Sequence, residues 1–203
     1  MKPRSFLAVF LATFALYFWQ TITHMVIPWY HSTLHKFEDP KDFEQTISEQ
    51  AKVNGKLKDG MYFLPQAEGN SEEAFMAANN RMKEGTFVFA SIRHQGKTSF
   101  FECLAWQFVF DFMGTLLVAF LLTKLSHDGM GCRVGVTIFF ALFLIVMGVL
   151  PNWTWWGFSS SFIAFHIFDH LIGWTIVGFV LGKMLPKNEA SSDDDEPAAA
   201  VAA

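Results

Sequence analysis

Four long apolar blocks restrict this chain to a membrane architecture. They run from Phe6 to Pro28, Phe100 to Thr123, Val134 to Leu150 and Phe158 to Leu185. Each is about 17 residues or longer, near or above what a helix rising ~1.5 Å per residue needs to cross a hydrocarbon core of ~30 Å. Lipid offers the backbone no hydrogen-bond partner, so each block is predicted to be a helix. Composition agrees: 52% of the residues are apolar and Phe alone contributes 24. The predicted fold is a membrane all-α four-transmembrane-helix bundle, with a small α+β extracytoplasmic domain inserted between helices 1 and 2. Residues 1–30 hold the first helix, 31–99 the inserted domain, 100–185 helices 2 to 4, and 186–203 an acidic tail.

The first block follows Lys2 and Arg4, as a signal peptide would. It is long, however, and ends in YFWQTITHMVIPWYH with no small-x-small cleavage site after it. It is read as a retained anchor. Lys2, Arg4, Lys124, Arg133, Lys183 and Lys187 all fall on one side if the helices alternate, while the short loop PNWTWWG from Pro151 to Gly157 has no Lys or Arg. By the positive-inside rule both termini are cytoplasmic. Trp29, Tyr30, Trp153, Trp155 and Trp156 then sit at the outer interface, where amphipathic rings prefer to lie. Asp193, Asp194, Asp195 and Glu196 account for the whole net charge of −4. The rest of the chain is electrically balanced, with no basic face for nucleic acid. The tail lacks apolar periodicity and is expected to be disordered. Cys103 and Cys132 fall near opposite faces, which excludes a disulfide between them. NWT at Asn152 matches a glycosylation acceptor but lies beside Trp153 at the membrane surface.

Residues 31 to 99 are too many for a mere connection. DPKDFEQTISEQAKV predicts a helix capped by Asp39 with Pro40 in its first turn. GMYFLP predicts a strand, SEEAFMAANNRMKEG a second helix, and TFVFASIRH a second strand. Phe43, Ile47, Tyr62, Leu64, Phe75, Phe87 and Phe89 are the core candidates. A domain this small is marginal alone and is expected to lean on the membrane part or on a partner. It contains no phosphate loop, nucleophile elbow or paired-cysteine knuckle.

MVIPWYHSTLHKF, GMYFLP and EGTFVFASI, all in the first half of the chain, resemble a group of uncharacterised bacterial four-span inner-membrane proteins. These share a first span ending in Pro-Trp-aromatic or His and a Gly-x-Tyr-x-x-Pro strand. The resemblance implies a bacterial inner-membrane location and transfers no activity or functional residue.

Polar residues inside the spans carry the functional signal, because a charge at bilayer depth is costly and needs a reason. In span one Thr13, Tyr17, Gln20 and His24 are spaced four, three and four apart, on one helical face. His31 continues that face if Pro28 only kinks the helix. In span two Gln107, Asp111 and Thr115 form a second stripe beside Gly114. Glu102 falls on the opposite side, near the interface. In span four His166 and His170 are one turn apart, Asp169 is their neighbour, and Gly173 extends the stripe. At ~1.5 Å per residue, Asp111 and His170 lie about 16 and 18 Å from the outer end, and His24 and His166 about 6 and 12 Å. The stripes therefore converge on one bundle, centred on an expected Asp111–His170 pair.

Three readings fit that convergence. The polar groups hydrogen-bond neighbouring helices and do nothing more. Or His24, His166 and His170 bind a haem, or Asp111, Asp169 and His170 a transition metal. Or the stripes form a proton or ion path. His-x-x-x-His alone is common on helices, and Ile167 replaces the glutamate of a metalloprotease motif. His31 and His35 lie at a wet surface, where solvent or lipid headgroups are the expected neighbours. At the level of function, two classes compete. One is a non-catalytic subunit or assembly factor of a larger membrane complex, with membrane lipids and other membrane-protein subunits as partners. The other is a haem- or metal-binding protein for electron transfer.

Overall fold

The computed structural model describes residues 3–125 and 129–186. Four helical stretches in it are long and apolar enough to cross a membrane: Pro3–Val26, Phe100–Leu122, Met130–Trp156 and Ser160–Met184. The first comprises α1 (Pro3–Thr21) and a π turn (Ile22–Val26), followed by the short α2 (Pro28–Ser32). The inserted segment folds as α3 (Pro40–Gln50), β1 (Lys52–Val53), β2 (Lys56–Leu57), β3 (Gly60–Leu64), α4 (Glu72–Glu84) and β4 (Val88–Ile92). The remaining spans are α5 (Phe100–Leu122), then α6 (Met130–Leu144) continued through a π turn (Ile145–Val149) into α7 (Leu150–Trp156), and finally α8 (Ser160–Met184). The acidic tail and residues 126–128 lie outside the described residues.

Both π turns precede a proline. Pro28 and Pro151 have no N–H to donate to the preceding turn. The residue before each donates instead five positions back, Ile27 to Ile22 at 3.0 Å and Leu150 to Ile145. The chain absorbs one extra residue per turn, and the side chains that follow are re-aimed. At Pro28 the break is complete, because Ile27 is extended (φ −77°, ψ 126°). His31 therefore does not continue the stripe of span one and is exposed. At Pro151 the helix continues. PNWTWWG is thus not a loop but helix up to Trp156, ended by Gly157 in the left-handed region (φ 66°).

In the bundle, α8 packs against α1 and α6, and α1 also packs against α5. Small residues let these backbones approach, as membrane helices require. A Cβ on Gly173 would sit 2.8 Å from the Leu16 side chain, and one on Gly178 would run into Thr137 and the Val134 backbone. Away from the inserted domain a hydrophobic core of Ala8, Val9, Ala12, Val118, Leu122, Val177 and Leu181 holds the bundle, with Thr13, Thr115 and Thr137 also fully buried. Arg133 is not a loop charge. It is buried in the first turn of α6, and its guanidinium donates to the carbonyls of Leu185 (2.8 Å) and Pro186 (2.7 Å) at the end of α8. Those carbonyls have no helical partner of their own.

The inserted domain follows the expected helix, strand, helix, strand order, with one addition. The first helix stops at Gln50, and Asn54-Gly55, both at positive φ, turn β1 antiparallel onto β2. Asn-Gly is the strongest short hairpin signal, and here it overrides the helix expected to reach Val53. The caps are as expected: Asp39 accepts from the N–H groups of Lys41 and Asp42, and Ser71 from that of Ala74. β3 pairs antiparallel with β4, Tyr62 opposite Ala90. The expected core does not form. None of its seven candidates is buried, and Leu64 and Phe75 are 57% and 66% exposed. The only apolar residues buried in this segment, among those described, are Ala51 and Ala78. The domain leans on the bundle instead: Phe89 stacks on Trp156 at 4.3 Å, and Phe87 lies against Gly157.

Candidate functional site

The three polar stripes meet at the end of the bundle nearer the inserted domain. They line a cavity of about 390 Å³. Helix α1 and its π turn contribute Tyr17, Gln20 and His24; α5 contributes Cys103 and Gln107; α8 contributes His166, Asp169 and His170. A second cavity of about 320 Å³ lies toward the π turn between α6 and α7, next to Gly148, Val149 and Asn152. His166 and His170 line both, so the two imidazoles form part of the wall between them.

The π turn of the first span sets the chemistry on that side. It presents two consecutive side chains, Thr23 and His24, to α8. The Thr23 hydroxyl donates to Asp169 Oδ1 at 2.8 Å. His24 Nδ1 is 3.0 Å from the Gln20 carbonyl and 3.1 Å from the Thr23 hydroxyl. The His24 ring also stands 5.9 Å from that of His166 between centroids, with Tyr30 and Phe165 packed beside it. Trp19 Nε1 donates to the Asp169 backbone carbonyl at 3.2 Å. Asp169, 4% exposed, is thereby fixed to the first span through both its side chain and its backbone.

Helix α5 joins through an amide relay. Gln107 Nε2 donates to Gln20 Oε1 at 3.2 Å and to Asp111 Oδ1 at 2.9 Å. Asp111 itself lies deeper and does not line the cavity. Among the described residues no hydrogen bond joins it to His170. The expected Asp111–His170 centre is therefore replaced by two separate links, Asp111 to Gln107 and Asp169 to Thr23. The helix order separates them: α1 packs against both α5 and α8, Asp111 finds its partner on its own helix, and Asp169 finds one in the π turn of the first span. Asp111 Oδ2 and Thr115 Oγ1, one turn apart and buried, have no hydrogen-bond partner among the described residues. The stripe of α5 thus ends in unmet polar groups.

The histidine set His24, His166 and His170 lines one cavity; of the set Asp111, Asp169 and His170, the last two line it and Asp111 does not. Among the described residues no three His, Cys, Asp or Glu side chains are grouped to hold a metal ion. His166, His170 and the Tyr17 hydroxyl make no hydrogen bond to protein among the described residues, which leaves their polar atoms to the cavity. Glu102 stays outside, as expected. It reaches back to the Ser99 N–H (3.1 Å) and completes a capping box at the start of α5. Both cysteines are free. Thr23 and Trp19 were not among the expected site residues. On a regular helix Thr23 lies one turn from Gln20, at the edge of the stripe, so its spacing was a signal in the sequence.

No family model matches the chain, and no curated protein or solved structure matches it.

Proposed function

We propose that this chain is a multi-pass protein of a bacterial inner membrane, with both termini cytoplasmic, and that it serves as a non-catalytic subunit or assembly factor of a larger membrane complex. The observation that carries this reading is the inserted domain. Its only buried apolar residues, among those described, are two alanines, and it leaves Met61, Leu64, Phe75 and Met76 each more than half exposed. In water such a surface asks for a partner. Native purification in mild detergent tests the reading: the intact chain should co-purify with larger subunits. Replacing residues 36–96 by a flexible linker should keep the spans inserted and abolish the association. A lone monomer in every mild detergent would remove the basis for the proposal. Reporter fusions test the orientation, with one after Gly69 active only in the periplasm and one after Lys187 only in the cytoplasm.

A second reading, haem- or metal-based electron transfer, draws on the convergence of His24, His166 and His170 on one cavity. A Soret band or stoichiometric metal in the purified protein supports it. Its absence from protein prepared without chelators removes it.

A further inference from the structure

We infer that the cavity shared by α1, α5 and α8 is a binding site for the ring of a membrane-soluble quinone or quinol. Three features of the site select this class. The first is access. The cavity lies within the first turns of the spans at the domain end, and beneath it the bundle closes in Ala12, Leu16 and Val177. A ligand held there lies between helices long and apolar enough to cross a membrane, which suits a lipid-soluble molecule. The second is charge. No Lys or Arg lines the cavity, and its one carboxylate, Asp169, already accepts from Thr23. Phosphate and carboxylate ligands would find no permanent cation, and among the described residues no three His, Cys, Asp or Glu side chains are placed to hold a metal ion. A neutral ligand remains. The third is the unused hydrogen-bonding capacity. Tyr17, His166 and His170 line the cavity, and their polar atoms make no hydrogen bond to protein among the described residues, while apolar and aromatic surface makes up most of the wall. Mostly apolar walls with a few orienting polar groups are the usual form of a small-molecule site. A flat ring with two oxygens on opposite edges can bond to two helices at once, Tyr17 on α1 and the histidines on α8.

The inference concerns binding by the single chain and does not depend on any partner subunit, so its failure would leave the subunit reading untouched. The test uses the full chain in nanodiscs of synthetic, quinone-free phospholipid, titrated with a short-tailed benzoquinone. Tryptophan fluorescence is the readout, because Trp19 contacts the Asp169 carbonyl beside the cavity. Saturable quenching is expected. Tyr17→Phe removes one hydroxyl while keeping the ring that packs on Phe108 at 5.5 Å. It should weaken binding about tenfold, as should His170→Ala, since one lost hydrogen bond is worth about 1.4 kcal/mol. Glu102→Gln, outside the cavity, should bind as the unaltered chain does. Three results would each overturn the proposal: quenching that rises linearly with the quinone in the bilayer, equal affinity in the Tyr17→Phe and His170→Ala variants, or stoichiometric Zn²⁺ binding lost in His170→Ala without saturable quinone quenching. If His170→Ala does not fold, Tyr17→Phe decides alone.

Discussion

The Thr23 hydroxyl donates to Asp169 Oδ1 at 2.8 Å across the interface between the first and last spans. This bond gives a buried carboxylate its partner at bilayer depth, where an isolated charge costs several kcal/mol. Thr23→Val keeps the shape and removes the donor. It should destabilise the protein by about 1–3 kcal/mol, the penalty for stranding a buried acceptor. Thr23→Ser should restore most of the loss. Thr115→Val is the control, because the Thr115 hydroxyl has no partner to lose among the described residues. Its effect should be neutral or stabilising. Denaturant unfolding in detergent reads all three.

Asp111 should couple to Gln107 rather than to His170. The Gln107 amide bridges Asp111 and Gln20. In a double-mutant cycle, Gln107→Leu with Asp111→Leu should show an interaction energy of about 0.5 kcal/mol or more. The cycle between Asp111→Leu and His170→Ala should come closer to additive. A larger coupling in the second cycle would mean that the two groups meet.

Gly178 and Gly135 should respond oppositely to an added methyl. A Cβ on Gly178 meets the Thr137 side chain and the Val134 backbone 3.1 Å away, so α6 and α8 must separate. Gly178→Ala should cost about 1–3 kcal/mol. A Cβ on Gly135 meets nothing within 4 Å. Gly135→Ala should be neutral or slightly stabilising through higher helix propensity. Thermal unfolding of the two variants side by side checks the packing of α6 on α8.

The open end of the β3–β4 pair should loosen in acid. Asp59 Oδ1 accepts from the His94 backbone N–H at 2.9 Å and faces its ring Nδ1 at 3.1 Å. These contacts, the backbone bond first, hold the Asp59 carboxyl below its ordinary value. A depressed carboxylate contributes stability above its unfolded pKa of about 3.9 and loses it as the pH falls through the lower folded value. Amide exchange at Gly60 and Ile92, which pair with each other, should therefore quicken relative to the intrinsic rate below about pH 4. Asp59→Asn should remove that pH dependence.

The four spans, the order of elements in the inserted domain and the three polar stripes could be read from the sequence alone. Apolar length and the 3.6-residue period are local properties, and lipid leaves the backbone one way to satisfy itself. Capping followed from local chemistry too, at Asp39 and Ser71. Which polar groups meet could not be read this way. That depends on α1 standing between α5 and α8, and helix order in a bundle is a sum of many small packing terms with no local code. It turned the expected Asp111–His170 pair into two separate links. The prolines were visible, but the direction of the side chains after them was not, because an extra residue in a π turn shifts every following position around the helix. The π turn holds Thr23 on Asp169, and the extended Ile27 takes His31 off the stripe. The unfilled core of the inserted domain was equally hidden. Aromatic residues at the right spacing mark a surface that can be buried, and only the tertiary structure decided that Phe87 and Phe89 would spend it on Gly157 and Trp156 while Leu64 and Phe75 stayed exposed.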